Sequence, residues 1–234
     1  MSRKIIMFHN KELDRITGGI PFPSMVLIEG EGGSGKSLVA YQLTWGSLVD
    51  GLSVRFITSE NTIKGLIRET ESMYGFSDYF IRGKLRITEI SARGIKWDEK
   101  LSRHYLKAIM HFLRKINEEV AVIDSLTHII VHAKESDVLE FFTTMRNWVD
   151  SMNKFLVVTL HTYSIDKSLM TRIRSICDSH IVLKLVTLPT KDIVRMLQVN
   201  KVRGAIKTVD NAIFFKADTS FGLKVLPVSY VKVK

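Results

Sequence analysis

With a single cysteine, Cys177, the chain cannot build an internal disulfide framework. The surrounding "IRSICDS" offers that thiol no metal-binding partner, so it reads as a small packed side chain in a reducing compartment. Only 4 prolines interrupt 234 residues, which leaves room for long unbroken elements. No apolar run approaches the ~18 to 20 residues that cross a bilayer, and the opening "MSRKIIMFHNKELD" lacks an apolar segment with a cleavage site. These absences point to a soluble, cytoplasmic protein. No internal repeat, linker or low-complexity stretch is visible either, which predicts one domain over residues 1–234. Acidic residues are in deficit, 24 against 34 Lys and Arg, for a net charge of +10. The surplus is dispersed along the chain, the pattern of a solvated surface, and does not choose among nucleic acid, an acidic partner and anionic lipid.

What is present is alternation. Strand-length apolar segments recur between segments of helical spacing, the signature of an open α/β sheet with crossover helices. Met25 to Glu29, Ser53 to Ser59, "KLRITEI", "EVAVIDS" and "FLVVTLH" read as strands. Lys36 to Val49, a segment with Ile63, Leu66, Ile67, Met73 and Tyr74 on one face and Gly75 at its end, Asp98 to Ile116, and Glu135 to Met152 read as helices. From His180 onward come strands without helices: "HIVLKLVTL", a turn at "PTKD", "IVRMLQVNKVR", "NAIFFKAD" and "LKVLPVSYVKV". The expected class is α/β, a central mostly parallel twisted sheet flanked by helices, with an antiparallel C-terminal meander beginning at His180.

Gly30, Gly35, Lys36 and Ser37 satisfy G-x-x-x-x-G-K-[ST], with Gly32, Gly33 and Ser34 inside the loop. A strand precedes this run and a helix follows it, so successive N–H groups and the positive helix end converge on a nucleotide's β-phosphate. In that setting Lys36 neutralises the β and γ oxygens, and the Ser37 hydroxyl ligates Mg²⁺. Asp124, ending "VAVID" at a strand tip, supplies the carboxylate that holds the magnesium through its water shell. Hydrolysis also requires a group to orient and deprotonate water, and "FITSENT" places Glu60 at the next strand tip. Thr159 and His161 alternate on "VVTLH" and so point the same way. His128 and His132 have i, i+4 spacing but no third ligand nearby, and are not read as a metal site.

In order and spacing, "ELDRITGGIP", "GEGGSGKS", "FITSENT", "VAVIDS", "VVTLH" and "VNKVRGA" resemble the RecA-superfamily ATPases of the KaiC-like branch across nearly all of the chain. Within that branch "ITSENT", "IDSLTHI" and the ending "FGLKVLPVSYVKVK" are most similar to the ATP-binding proteins of the archaellum. The resemblance implies a RecA-like domain that binds ATP and forms a hexameric ring. It also implies docking on the archaellum motor ATPase and its cytoplasmic partners, close to the membrane. Members of the branch often carry two adjacent acidic residues where this chain has Glu60 and Asn61, which implies a nucleotide-controlled scaffold with weak or absent hydrolysis. By the same resemblance Lys201 and Arg203 contact a neighbour's γ-phosphate in trans, His161 is a polar sensor, and Ser59 is a candidate for self-phosphorylation. Two alternatives stand beside this: a RecA-like DNA recombination or repair paralogue, and a KaiC-like signalling ATPase or kinase. Against the first, no added helical DNA-binding module and no Gly-rich basic loop after Asp124 is evident.

Overall fold

The computed structural model describes residues 4–90, 94–188, 191–204 and 212–227. The chain opens with β1 (Ile5–Ile6), α1 (Lys11–Thr17) and β2 (Ile20–Pro21), and β1 and β2 pair as a small antiparallel sheet. Then follow β3 (Ser24–Gly30), α2 (Lys36–Val49), β4 (Val54–Thr58), α3 (Ile63–Tyr74), α4 (Phe76–Ile81) and β5 (Leu85–Glu89). The middle of the chain supplies α5 (Glu99–Leu113), β6 (Val120–Asp124), α6 (Thr127–Ile130), α7 (Glu135–Ser151) and β7 (Phe155–His161). The last described elements are α8 (Lys167–Ile176), β8 (Ser179–Thr187), β9 (Ile193–Val202), β10 (Ile213–Asp218) and β11 (Gly222–Val225).

Among the described residues the main sheet has the order β11-β10-β9-β8-β3-β7-β6-β4-β5. Strands β3 to β8 run parallel, and β9, β10 and β11 are added antiparallel. Alternation along each central strand splits its side chains between two cores. Val26, Ile28, Phe56 and Val122 face α2 and α3, whereas Leu27, Ile57, Ile123 and Val158 face α5, α7 and α8. Helix boundaries follow local chemistry. Thr62 caps α3 by accepting from Gly65 N–H, Asp98 caps α5 through Leu101 N–H, and Gly75 ends α3 in the left-handed region.

Three features differ from the sequence reading. The strand starting at Ser179 is not the first limb of an antiparallel meander, because β8 lies parallel to β3 and only its other edge meets β9 antiparallel. The reason is α8, a crossover helix capped by Asp166, which returns the chain to the same end of the sheet before β8 begins. The helix expected to reach Ile116 ends at Leu113, and α1, α4, α6 and α8 were not anticipated. Parts of the expected C-terminal strands, with Pro189 and Thr190 of the turn, lie outside the described residues. No helix among the described residues is long and apolar enough to cross a membrane.

The N-terminal segment packs directly on α2. Gln42 Nε2 donates to the Phe8 carbonyl at 2.6 Å, and a Cβ on Gly46 would lie 2.1 Å from the Met7 carbonyl oxygen. Gly46→Ala is therefore expected to destabilise the fold by ~1 to 3 kcal/mol through overpacking. The denaturant unfolding midpoint measures this, and a wild-type value would show that the contact yields without cost.

Candidate functional site

The loop between β3 and α2 needs glycine for two separate reasons. Gly33 and Gly35 have φ of 73° and 97°, which L side chains avoid. Gly30 is constrained by space, since a Cβ there would sit 2.5 Å from the Leu183 carbonyl oxygen and 2.6 Å from Ser34 Oγ. At Gly32 the space is open. Ser34 Oγ is buried inside the turn with no hydrogen-bond partner, so the loop carries an uncommitted donor and acceptor at its centre. Lys36 is almost fully buried, and its Nζ donates to the Glu31 carbonyl at 2.8 Å. Burial lowers its pKa, opposed by the carboxylates of Glu60, Asp124 and Glu31.

Asp124 ends β6 with only 3% of its surface exposed. Thr159 Oγ1 donates to it at 2.6 Å, and the Ser37 hydroxyl is a second hydrogen-bond partner. Burial raises the Asp124 pKa and Glu60 adds to the effect, while Thr159, Ser37 and Lys36 hold it back. The Asp124–Ser125 peptide is cis.

Glu60 and His161, named separately from the sequence, form one unit. His161 Nε2 lies 3.0 Å from Glu60 Oε1, and Ser125 Oγ donates to the same oxygen at 2.7 Å. The His161 and Ser125 contacts, with help from Lys36, outweigh partial burial and hold the Glu60 carboxyl down at about 2. Ser59 is nearly buried and its hydroxyl is occupied twice, donating to the Ser125 carbonyl at 2.7 Å and accepting from Ser125 N–H at 3.2 Å.

A cleft of about 440 Å³ gathers Gly33, Gly35, Lys36, Ser37, Glu60 and His161 on one side. Tyr41, Glu69, Ser72 and Met73, with Ala217, Asp218 and Thr219, form the remainder of its wall. Lys201 and Arg203 are not brought to this cleft. Lys201 pairs with His180, which is opposite Leu27, so it lies three residues back along β3 from Gly30. Its Nζ donates to the carbonyls of Arg174, Ser175 and Cys177 at the end of α8. Arg203 Nη1 lies 3.4 Å from Asp178 Oδ1.

Ser125 and Arg195, which hydrogen-bond Glu60 and the glycine loop, went unread in the sequence. Ser125 directly follows Asp124, and an oxygen one residue beyond a strand tip was a legible signal. Arg195, whose Nε donates to the Gly33 carbonyl at 3.0 Å, reaches the loop from a strand 162 positions away and left no local signal.

The parallel block with a P-loop leaving its central strand, flanked by an antiparallel hairpin that bends back over α2, defines a RecA-like fold of the KaiC kind. A family model described as "ATPase: KaiC" matches residues 10–229. The archaeal flagellar ATP-binding protein FlaH of Sulfolobus acidocaldarius is 35% identical over 226 residues, 96% of this chain and 98% of that protein. Its counterpart from Methanocaldococcus jannaschii is 26% identical over 90% of each. Among solved structures, flagellar accessory protein FlaH from Methanocaldococcus jannaschii superposes with a TM-score of 0.84 at 23% identity, covering 97% of this chain and 100% of that one. A KaiC-like protein from Pyrococcus horikoshii gives 0.75 at 22% identity, again over 97% and 100%. The chain belongs to the KaiC family of ATPases and, within it, to the archaeal flagellar ATP-binding proteins of the FlaH type.

Because folding lowers the Glu60 pKa from 4.5 to about 2, the unfolded chain binds more protons between those values. Stability from this group is complete above pH ~4.5 and is lost as pH falls toward 2. Glu60→Gln is expected to flatten that acid limb in denaturant melts between pH 2 and 6. An unchanged slope would mean that the His161 and Ser125 contacts do not hold the carboxylate.

Proposed function

We propose that this chain is an ATP-binding regulatory and scaffold component of the archaellum, whose nucleotide governs assembly into a ring that meets the motor ATPase at the cytoplasmic face of the membrane. One observation carries the reading: Lys36 and Ser37 open α2 beside the buried carboxylate of Asp124, at the end of a loop whose positive φ at Gly33 and Gly35 favours glycine. This donor set fits a magnesium-bound triphosphate. The N–H groups from Gly32 to Ser37 and the Lys36 ammonium would hold the phosphates. Ser37 and Asp124 would hold Mg²⁺, which when bound neutralises phosphate charge.

Weak hydrolysis fits the same geometry. A general base works best with a pKa near the operating pH, whereas Glu60 is held at about 2. It can orient a water through its hydrogen bonds but is a poor acceptor for that water's proton. Its neighbour Asn61 donates to Glu69 at 2.9 Å and supplies no second carboxylate. In the ring, Lys201 and Arg203 of one copy are the candidates to face the γ-phosphate of the next. The His161–Glu60 pair is our candidate sensor of that phosphate. The names of the relatives support the archaellum assignment.

Removing a buried, hydrogen-bonded charge from the binding loop commonly weakens binding by about 30- to 1000-fold. Lys36→Ala is expected to lose that much affinity for Mg·ATP by calorimetry, and to stay monomeric in sedimentation velocity with ATP where wild type forms rings. Equal affinity in the two proteins would remove the reading. Nucleotide binding without any change of assembly would remove the scaffold role and leave only the site.

A further inference from the structure

The parallel register aligns five strand starts in one row: Ser24, Phe155, Val120, Val54 and Leu85 are mutual partners. The segments that enter four of those strands therefore lie together, at the end of the sheet opposite the phosphate loop. They carry Val49 at 43% exposure, Phe80 at 41%, Ile81 at 82% and Met152 at 54%. Ile81 stands at the tip of α4, directly before Arg82, Gly83 and Lys84. On the other face of the sheet Arg114 and Met152 line one shallow groove.

Three exposed cations on this end stand apart from its carboxylates. Asp78 is taken by Arg82 and Asp150 by Arg146, while Asp50 shares a 2.7 Å hydrogen bond with the His9 ring and Glu71 accepts from Ser77. Glu118 is buried against Arg55 and Arg86, and Glu119 accepts from Ser53. Lys84, Arg114 and Lys115 are exposed, and among the described residues no carboxylate pairs with them. Exposed apolar tips rimmed by uncompensated cations are what an anionic bilayer surface recognises: acyl chains accept the tips and phosphate headgroups the cations. The tips project from a helix end and from loops rather than lining a deep cleft, which suits a fluid headgroup layer better than a rigid partner.

We propose that the end of the sheet opposite the nucleotide cleft is a docking surface for anionic phospholipid, with Ile81 and Phe80 entering the interface and Lys84, Arg114 and Lys115 meeting headgroup phosphates. This surface is separate from the nucleotide cleft, and its contact with lipid does not depend on the chain binding ATP.

The test is vesicle flotation of the full chain without nucleotide, using phosphatidylcholine vesicles with and without phosphatidylglycerol. Wild type is expected to float only with the anionic vesicles, and less as salt is raised, because screening shortens the reach of the cations. Each of Lys84→Ala, Arg114→Ala and Lys115→Ala should weaken partitioning by about 5-fold, and Ile81→Ser by about 10-fold. All four side chains are exposed, and thermal unfolding at the wild-type temperature would confirm that the variants fold. Flotation equal on neutral vesicles, or unchanged in all four variants, overturns the proposal. No flotation at all overturns it too.

Discussion

Asp124 is a carboxylate buried at the end of a strand, and the end of the molecule that carries the glycine-rich loop is organised around keeping it there. An isolated charge in that position would cost several kcal/mol. Here the hydroxyls of Thr159 and Ser37 bond to it, and the Lys36 ammonium lies close enough to stabilise its charged form. Two elements fix these groups: β7 holds Thr159, and the first turn of α2 holds Ser37 and Lys36. The register that puts β7 between β3 and β6 is thus also the register that satisfies Asp124. Glu60 is the second charge at this end, and it is displaced onto Ser125 and His161 rather than onto Lys36 alone. Burial raises the Asp124 pKa and the Glu60 charge adds to it, whereas the His161 and Ser125 bonds bring Glu60 down.

Much of this was legible in the sequence because its signals are local. The P-loop is eight consecutive residues, Asp124 and Glu60 close strongly apolar runs, and the faces of α3, α5 and α7 repeat at helical spacing. What escaped was either short or remote. "DKSLMTRIRSI" holds a capping Asp166 and the apolar trio Leu169, Met170 and Ile173, but a helix this short is weakly marked against its Lys, Arg and Ser content. Missing it reversed the reading of β8, since an apolar strand has the same alternation in either direction. Lys201 shows a further limit. The pairing of β8 with β9 shifts between His180 and Ile181 and skips Asn200, so counting alternate residues from Arg195 misplaces Lys201. In the structure Arg195 lies over the P-loop while Lys201 reaches the other side of the sheet, against α8.

Charges also hold the opposite flank in place. Glu29, one residue before the P-loop, is fully enclosed, and Arg174 grips it with two nitrogens at 2.7 and 3.0 Å while His180 lies 3.2 Å away. Burial would raise its pKa, yet the His180 and Arg174 contacts bring it below the usual carboxylate range. Asp178 accepts from Met25 N–H at 2.9 Å and lies against Arg146 and Arg203. Between them these two acids tie α7, α8 and the end of β9 to β3. Such pairs contribute more to a defined geometry than to net stability, because breaking one side strands a buried charge.

This arrangement sets a condition on any role for Lys201 beyond its own subunit. Its ammonium caps three carbonyls at the end of α8, where helix ends leave acceptors unsatisfied and cations are favoured. Arg174, one of those capped residues, is also the residue that clamps Glu29 beneath the P-loop. A lysine drawn away to a neighbour's phosphate would expose the three acceptors and loosen the anchor of Arg174. The exchange can balance only if the phosphate charge replaces all three bonds, as an ammonium bound to a triphosphate does through charge-assisted contacts. Arg203 faces a smaller demand, because it is exposed and Asp178 retains Arg146 and the Met25 N–H when it leaves. Of the two cations, Arg203 is therefore the one that geometry leaves free to move first.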